Sequence, residues 1–134
     1  MENVNLKVGL NASVETWVSQ KSTAEEYGSG NMDVYATPAM IGLMERAALS
    51  AVALHLPKGY TTVGTAVNIK HIAGTPVGMK VKALAELIAV EGRKLTFKVE
   101  AFDGVEKIGE GYHERYIVSS QNFRDKVYKK AENI

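Results

Sequence analysis

The chain contains no cysteine. That excludes a disulfide framework, thiolate metal sites and a cysteine nucleophile. An excess of charge of one sign is also missing: 16 Lys and Arg stand against 15 Asp and Glu, for a formal net charge of +1. No broad electrostatic field points to nucleic acid or to an anionic membrane. The sequence has no GxSxG elbow, no P-loop, and no GxGxxG opening a helix after a strand, so it offers none of those nucleophile or phosphate-cradling devices. Its three histidines, His55, His71 and His113, show neither HxxxH nor HxH spacing. No metal site is expected from them. The first residues, "MENVNLKVGLNASVETW", lack a basic segment followed by an apolar one, so no signal peptide is read there.

What is present suits one domain with a real core. The chain has 134 residues, 46% hydrophobic and 23% charged, ordinary values for a globular protein. The longest apolar stretch is "YATPAMIGLMERAALSAVALHL", Tyr35 to Leu56. Thr37 reads as the N-cap of a helix and Pro38 as its first residue. Pro57 and Gly59 read as its stop. Apolar residues on almost every face predict a helix buried on most sides. Glu45, Arg46 and many alanines at its middle argue against a transmembrane span. A cytoplasmic location is expected.

Around that helix the patterns are those of strands. "NASVETWVSQ" (Asn11 to Gln20) predicts a short strand, and "KSTAEEYGSGNMDVYA" a mobile surface loop centred on Gly28-Ser29-Gly30. In "TVGTAVNIKHI" the residues Val63, Thr65, Val67, Ile69 and His71 alternate and are expected on one face. "MKVKALAELIAV" suits helix or strand by propensity. The alternation of Met79, Val81, Ala83, Ala85 and Leu87 with Lys80, Lys82 and Glu86 predicts a strand. "LTFKVEAF" and "EKIGEGYHERYIVS" predict two more, with a hairpin signal at Asp103-Gly104. "SSQNFRDKVYKKAENI" predicts a short amphipathic helix. The class is α+β: one strand, a buried central helix, then four antiparallel strands wrapped on it.

Few residues here carry chemistry. Glu45 lies amid apolar neighbours, where a carboxylate pKa rises unless a cation or hydrogen bond compensates. Such groups mark functional sites, though ion pairs imitate them. His71 ends an inward-looking strand and suits either a site or a satisfied core. His55, expected in the last helical turn, suits the helix dipole. His113 reads as structural. Thr37 has a bland role as N-cap, and a functional one if its hydroxyl and the free N–H groups of the helix start hold an oxyanion. Gly64 reads as either a bulge or a point of close approach to the backbone. Lys58, Lys70, Lys80 and Lys82 suit anionic phosphates, or plain solvation.

The segments "ATPAMIGLMERAAL", "VGTAVNIKHIAGTPVG", "VEGRKLTFKVEAFDGVEKIG" and "GYHERYIV", in that order over roughly residues 35–130, resemble the fluoroacetyl-CoA thioesterase-like branch of the hot-dog fold. The resemblance implies an antiparallel sheet wrapped around one long helix. It implies hydrolysis of a small acyl-CoA thioester at a homodimer interface, or in a higher oligomer, without metal or resident cofactor. It implies a catalytic set of Thr37, Glu45 and His71, with Gly64 and Arg115 against the substrate. Neither a nucleic-acid partner nor a membrane partner is expected. The aromatic lid of the fluoroacetyl-specific enzyme is not matched: the corresponding loop offers Tyr27 and Met32 but no Phe. The thioesterase chemistry carries over and the fluoroacetyl preference does not. Arg46 stands where that enzyme has an aromatic residue, and suits pairing with Glu45 or with a substrate carboxylate or phosphate.

Geometry adds one expectation. Thr37 and Glu45, eight residues apart, lie about 12 Å apart along a helix axis and about 80° apart around it. They serve one site most simply if each comes from a different subunit, with the helices antiparallel across a two-fold axis. A rival reading is a non-catalytic hot-dog module, either an acyl-CoA sensor or a structural dimer with Glu45 and Arg46 as buried ion partners. A hydratase reading lacks its Asp/His motif.

Overall fold

The computed structural model describes residues 6–134. The strands are β1 (Asn11–Trp17), β2 (Tyr60–His71), β3 (Lys80–Glu91), β4 (Lys94–Phe102) and β5 (Lys107–Ser119). The helices are α1 (Ala24–Tyr27), α2 (Thr37–Ala53) and α3 (Ser120–Tyr128). The five strands form one antiparallel sheet in the order β1-β3-β4-β5-β2. The long helix α2 packs chiefly on β1 and β3 and also touches the other three strands.

Side-chain size explains how the helix nests in the sheet. Met40, Met44, Ala47, Ala48, Ala51 and Val52 of α2 are buried against Val81, Ala83, Ala85 and Leu87 of β3 and the Leu95, Phe97, Val99 row of β4. Alanines on both surfaces let the helix backbone approach closely. Phe97, Leu95 and the two methionines fill the space left, each contributing about 1.5–3 kcal/mol by burial. Gly109 of β5 belongs to the same fit: a Cβ there would meet Met40 Sδ at 2.5 Å.

The ambiguous segment is a strand, as its alternation predicts. Val81, Ala83, Ala85 and Leu87 face the helix while Lys80, Lys82 and Glu86 face out. Burial of the apolar face decides against the helical propensity of Ala, Leu and Glu.

Several local expectations are corrected. β1 ends at Trp17, not at Gln20. The loop that follows contains α1, capped by the Thr23 hydroxyl accepting from the Glu26 N–H. α2 ends at Ala53, before Pro57, so His55 lies beyond its last turn. The hairpin read at Asp103-Gly104 forms, and its turn is longer than two residues. Phe102 pairs with Lys107, and the Asp103 carboxylate organises a longer turn by accepting from the N–H groups of Val105 and Glu106 and from the Thr75 hydroxyl.

The most consequential correction concerns β2. Its register against β5 shifts between Gly64 and Ala66. This bulge at Thr65, whose hydroxyl donates to the Glu114 carbonyl at 3.1 Å, reverses the parity of the strand. Val67, Ile69 and His71 share a face as expected, but Val63 and Thr65 do not join them. Gly64 does. Gly64 and His71 are seven residues apart, and without the bulge they would face opposite ways.

Candidate active site

The first group of polar residues lies where α2 begins. The N-cap is Ala36, whose side chain makes no cap bond, and Thr37 is already helical. The expected capping role of Thr37 is therefore wrong. Its hydroxyl is directed at the end of β2, where Thr37 Oγ1 and His71 Nδ1 are 2.7 Å apart. With no side-chain cap, the N–H groups of Thr37 and Ala39 stay available at the positive end of the helix, while Pro38 has none to offer. His71 Nε2 is buried and has no hydrogen-bond partner among the described residues. Burial lowers the His71 pKa, and the Ala73 backbone offsets part of that. A neutral ring that accepts the Thr37 proton at Nδ1 carries its own proton on Nε2. A cavity of about 410 Å³ lies over the pair, bordered by Met32, Gly30, Tyr35 and Ala73.

The second group surrounds Glu45 at the middle of α2. The Glu45 side chain is 43% exposed, and its Oε2 stands 3.8 Å from Arg115 Nη1. Arg115 itself is buried and held on three sides. Its Nε donates to Thr62 Oγ1 at 2.8 Å, its Nη2 to the Thr62 carbonyl at 2.8 Å, and its Nη1 lies 3.2 Å from His113 Nε2. His113 Nδ1 is 2.8 Å from the Ala66 carbonyl. A neutral His113 with its proton on Nδ1 satisfies both contacts, donating to Ala66 and accepting from Arg115. Burial lowers its pKa, Ala66 opposes that, and the Arg115 charge adds to the lowering. Burial likewise lowers the Arg115 pKa while Glu45 counteracts it.

Gly64 makes room for this group. A Cβ on Gly64 would lie 2.8 Å from Glu45 Oε2, 3.2 Å from His113 Cε1 and 3.4 Å from Arg115 Nη1. The carboxylate thus rests on bare backbone, with a guanidinium beside it and solvent on its open side. Arg115 supplies the cation that a carboxylate in an apolar helix needs. Arg46, expected as one candidate for that role, makes no ion pair among the described residues.

The structure therefore brings the residues together in two sets: Thr37 with His71, and Glu45 with Gly64, Arg115, His113 and Thr62. No hydrogen bond or ion pair among the described residues joins the sets within one chain. The 12 Å of helix between Thr37 and Glu45 explains why. Sequence reasoning missed His113 and Thr62 as parts of the Glu45 set. The signal for His113 was available: it alternates with Arg115 in "HER", which puts both side chains on one face of β5. Among the described residues no three His, Asp or Glu side chains gather in a way that would hold a metal. No helix among them is long and apolar enough to cross a membrane.

Known proteins share this architecture. The fluoroacetyl-CoA thioesterase of Streptantibioticus cattleyicolor is 46% identical over 99 residues, covering 74% of this chain and 71% of that protein. A crystal structure of the fluoroacetyl-CoA thioesterase FlK superposes with a TM-score of 0.87 at 38% identity, covering 94% of this chain and 98% of the other. A thioesterase superfamily member from Thermus thermophilus, 29% identical, superposes with a TM-score of 0.87 over 99% of this chain and 97% of its own. The fluoroacetyl-CoA-specific thioesterase family, FlK, matches residues 18–121. With this match, and with the sheet wrapped on one long helix, the chain belongs to the fluoroacetyl-CoA-specific thioesterase family of the hot-dog fold.

Proposed function

We propose that this thioester hydrolase acts on a small acyl-CoA at a site assembled from two subunits. Thr37 and His71 come from one subunit and Glu45, Gly64 and Arg115 from its partner. The observation that carries this reading is the division of the polar residues into two sets on one chain. Each set alone is incomplete: Thr37 and His71 have no carboxylate, and the Glu45 set lacks the free N–H groups of the helix start. A two-fold axis beside α2 would place one set of each subunit against the other set of its partner.

Two features support such a pairing. β2 is an edge strand of 12 residues, and Gly64 to Asn68 are exposed along it. Long open edges are rarely left uncovered. On α2, Ile41, Glu45 and Leu49 recur every four residues and are only partly covered, a stripe suited to a facing helix.

The chemistry follows from the groups present. The thioester carbonyl sits at the start of α2, where the Thr37 hydroxyl and the free first-turn N–H groups stabilise the developing oxyanion. Glu45 acts as general base on water, or attacks directly to give a mixed anhydride that water then opens. His71 orients or deprotonates the attacking group. Arg115 and His113 hold the Glu45 carboxylate in place. The thiolate of coenzyme A leaves without a metal, and no resident cofactor is needed.

Met32 and Gly30 at the rim of the cavity give it no aromatic wall there. The acyl preference is therefore broader than fluoroacetyl. Thiol release from short, branched, aromatic and halogenated acyl-CoAs, with wild type and Glu45→Gln side by side, tests the reading. Turnover that the substitution abolishes supports it. Binding without turnover on every member would leave a sensor.

A further inference from the structure

A second cavity, of about 330 Å³, lies beside the first on the flank of α2 that faces β1. Its lining includes Trp17, Tyr27, Tyr35, Pro38, Gly42 and Arg46. No carboxylate lines it among the described residues. Arg46 is exposed there and makes no ion pair among them. Tyr35 is 2% exposed, yet its hydroxyl has no hydrogen-bond partner among the described residues. The phenol oxygen itself reaches open space, since His71 Nε2 is the one fully buried side-chain polar atom without a partner among the described residues, and the ring borders the cavity. Burial pushes its pKa up to about 12, with the Tyr27 phenol adding to the rise and Arg46 opposing it. It is thus a permanent donor, near enough to Arg46 to feel its charge. Trp17 and Tyr27 are 63% and 51% exposed; the Lys80 ammonium lies over one face of Trp17, 5.4 Å from its centre, which leaves the other face and Tyr27 for stacking. A guanidinium, an unused hydroxyl and two open rings, with no acid among them, suit a phosphate joined to an aromatic base.

We propose that this cavity is a nucleotide-phosphate subsite, with Arg46 and the Tyr35 hydroxyl on the phosphate and Trp17 or Tyr27 against the base. The same chemistry has two sources: the nucleotide end of the acyl-CoA substrate, or a free nucleotide. The first source rests on the thioesterase reading above. Position favours it. Tyr35 borders both cavities, and Arg46 lies nine residues beyond Thr37, about 13 Å along the helix, a span that a pantetheine arm covers.

The test is calorimetric titration of adenosine 3′,5′-bisphosphate and of inorganic phosphate into wild type, Arg46→Met and Tyr35→Phe. It is paired with steady-state kinetics on an acyl-CoA and on the matching acyl-pantetheine, which lacks the nucleotide. Wild type should bind the bisphosphate, and Arg46→Met should weaken it about tenfold or more, the worth of one charge-assisted hydrogen bond. If the source is the substrate, Arg46→Met raises KM for the acyl-CoA by a similar factor, leaves kcat alone, and leaves acyl-pantetheine unaffected. Weakened bisphosphate binding with unchanged acyl-CoA kinetics assigns the subsite to a free nucleotide. Absence of bisphosphate binding to wild type overturns the proposal, whether or not inorganic phosphate binds. Undiminished binding by both variants overturns it as well. Failure of both thioesters to turn over, with bisphosphate binding intact, would sink the hydrolase reading and leave the subsite standing.

Discussion

Glu45 is flanked in sequence by Arg46 and in space by Arg115, and only the second pairing forms. Neighbours on a helix point about 100° apart, so the adjacent arginine turns away while a strand from the far end of the chain supplies the cation. If the carboxylate is the reacting group, Glu45→Gln should lower kcat by about 10²–10⁴. Its half-open position means that the melting temperature should barely move. Comparable losses in both quantities would mark Glu45 as structural. Gly64→Ala should also cost activity, because a methyl there would press on Oε2. Loss of activity with the fold kept by circular dichroism checks it, and a fully active variant would contradict the close approach. The buried His113 and the half-buried His71 set the acid side. Burial lowers the pKa of both His71 and His113. The unfolded chain therefore binds protons that the folded one refuses. Stability is full above the unfolded value of about 6.5 and falls as pH drops below it. Thermal melts from pH 7.5 to 5 should show that fall, and His113→Gln should flatten it. The same direction applies to catalysis: the acid limb of kcat/KM governed by neutral His71 should lie below 6.5.

At the scale of elements, the sequence was most readable where one face is buried. The alternation in β3 predicted its strand correctly against helical propensity. The all-apolar pattern of α2 predicted a central helix. Less was legible where a single residue changes the geometry. The bulge at Thr65 turns Gly64 inward; the glycine signals a bulge or a close approach, and only the pairing with β5 shows that both occur and reverses the alternation read through Val63 and Thr65. Thr before Pro is a good helix start, which makes Thr37 the expected cap. The structure instead sets the cap at Ala36 and frees the hydroxyl for His71. The long-range pairing of β2 with β5 decides the arginine, and pairing is invisible to periodicity. One element-scale prediction tests the fit between helix and sheet. Gly109→Ala should destabilise by about 1–3 kcal/mol through overpacking against Met40, measured by urea denaturation. A change below a few tenths would mean that Met40 moves aside freely.

The whole molecule is the scale at which the proposed site closes. One chain holds two incomplete sets about 12 Å apart along α2, and the proposed site joins them across a two-fold axis. Mixing two inactive variants tests that most directly. His71→Ala and Glu45→Gln subunits are unfolded together, refolded together, and assayed for thiol release beside each variant refolded alone. Random pairing gives half heterodimers, each with one intact site of two, so about a quarter of wild-type activity should return. Return of that activity is what the account predicts. No recovery, with heterodimers present by native mass spectrometry, would place Thr37, His71 and Glu45 in one subunit's site and contradict it.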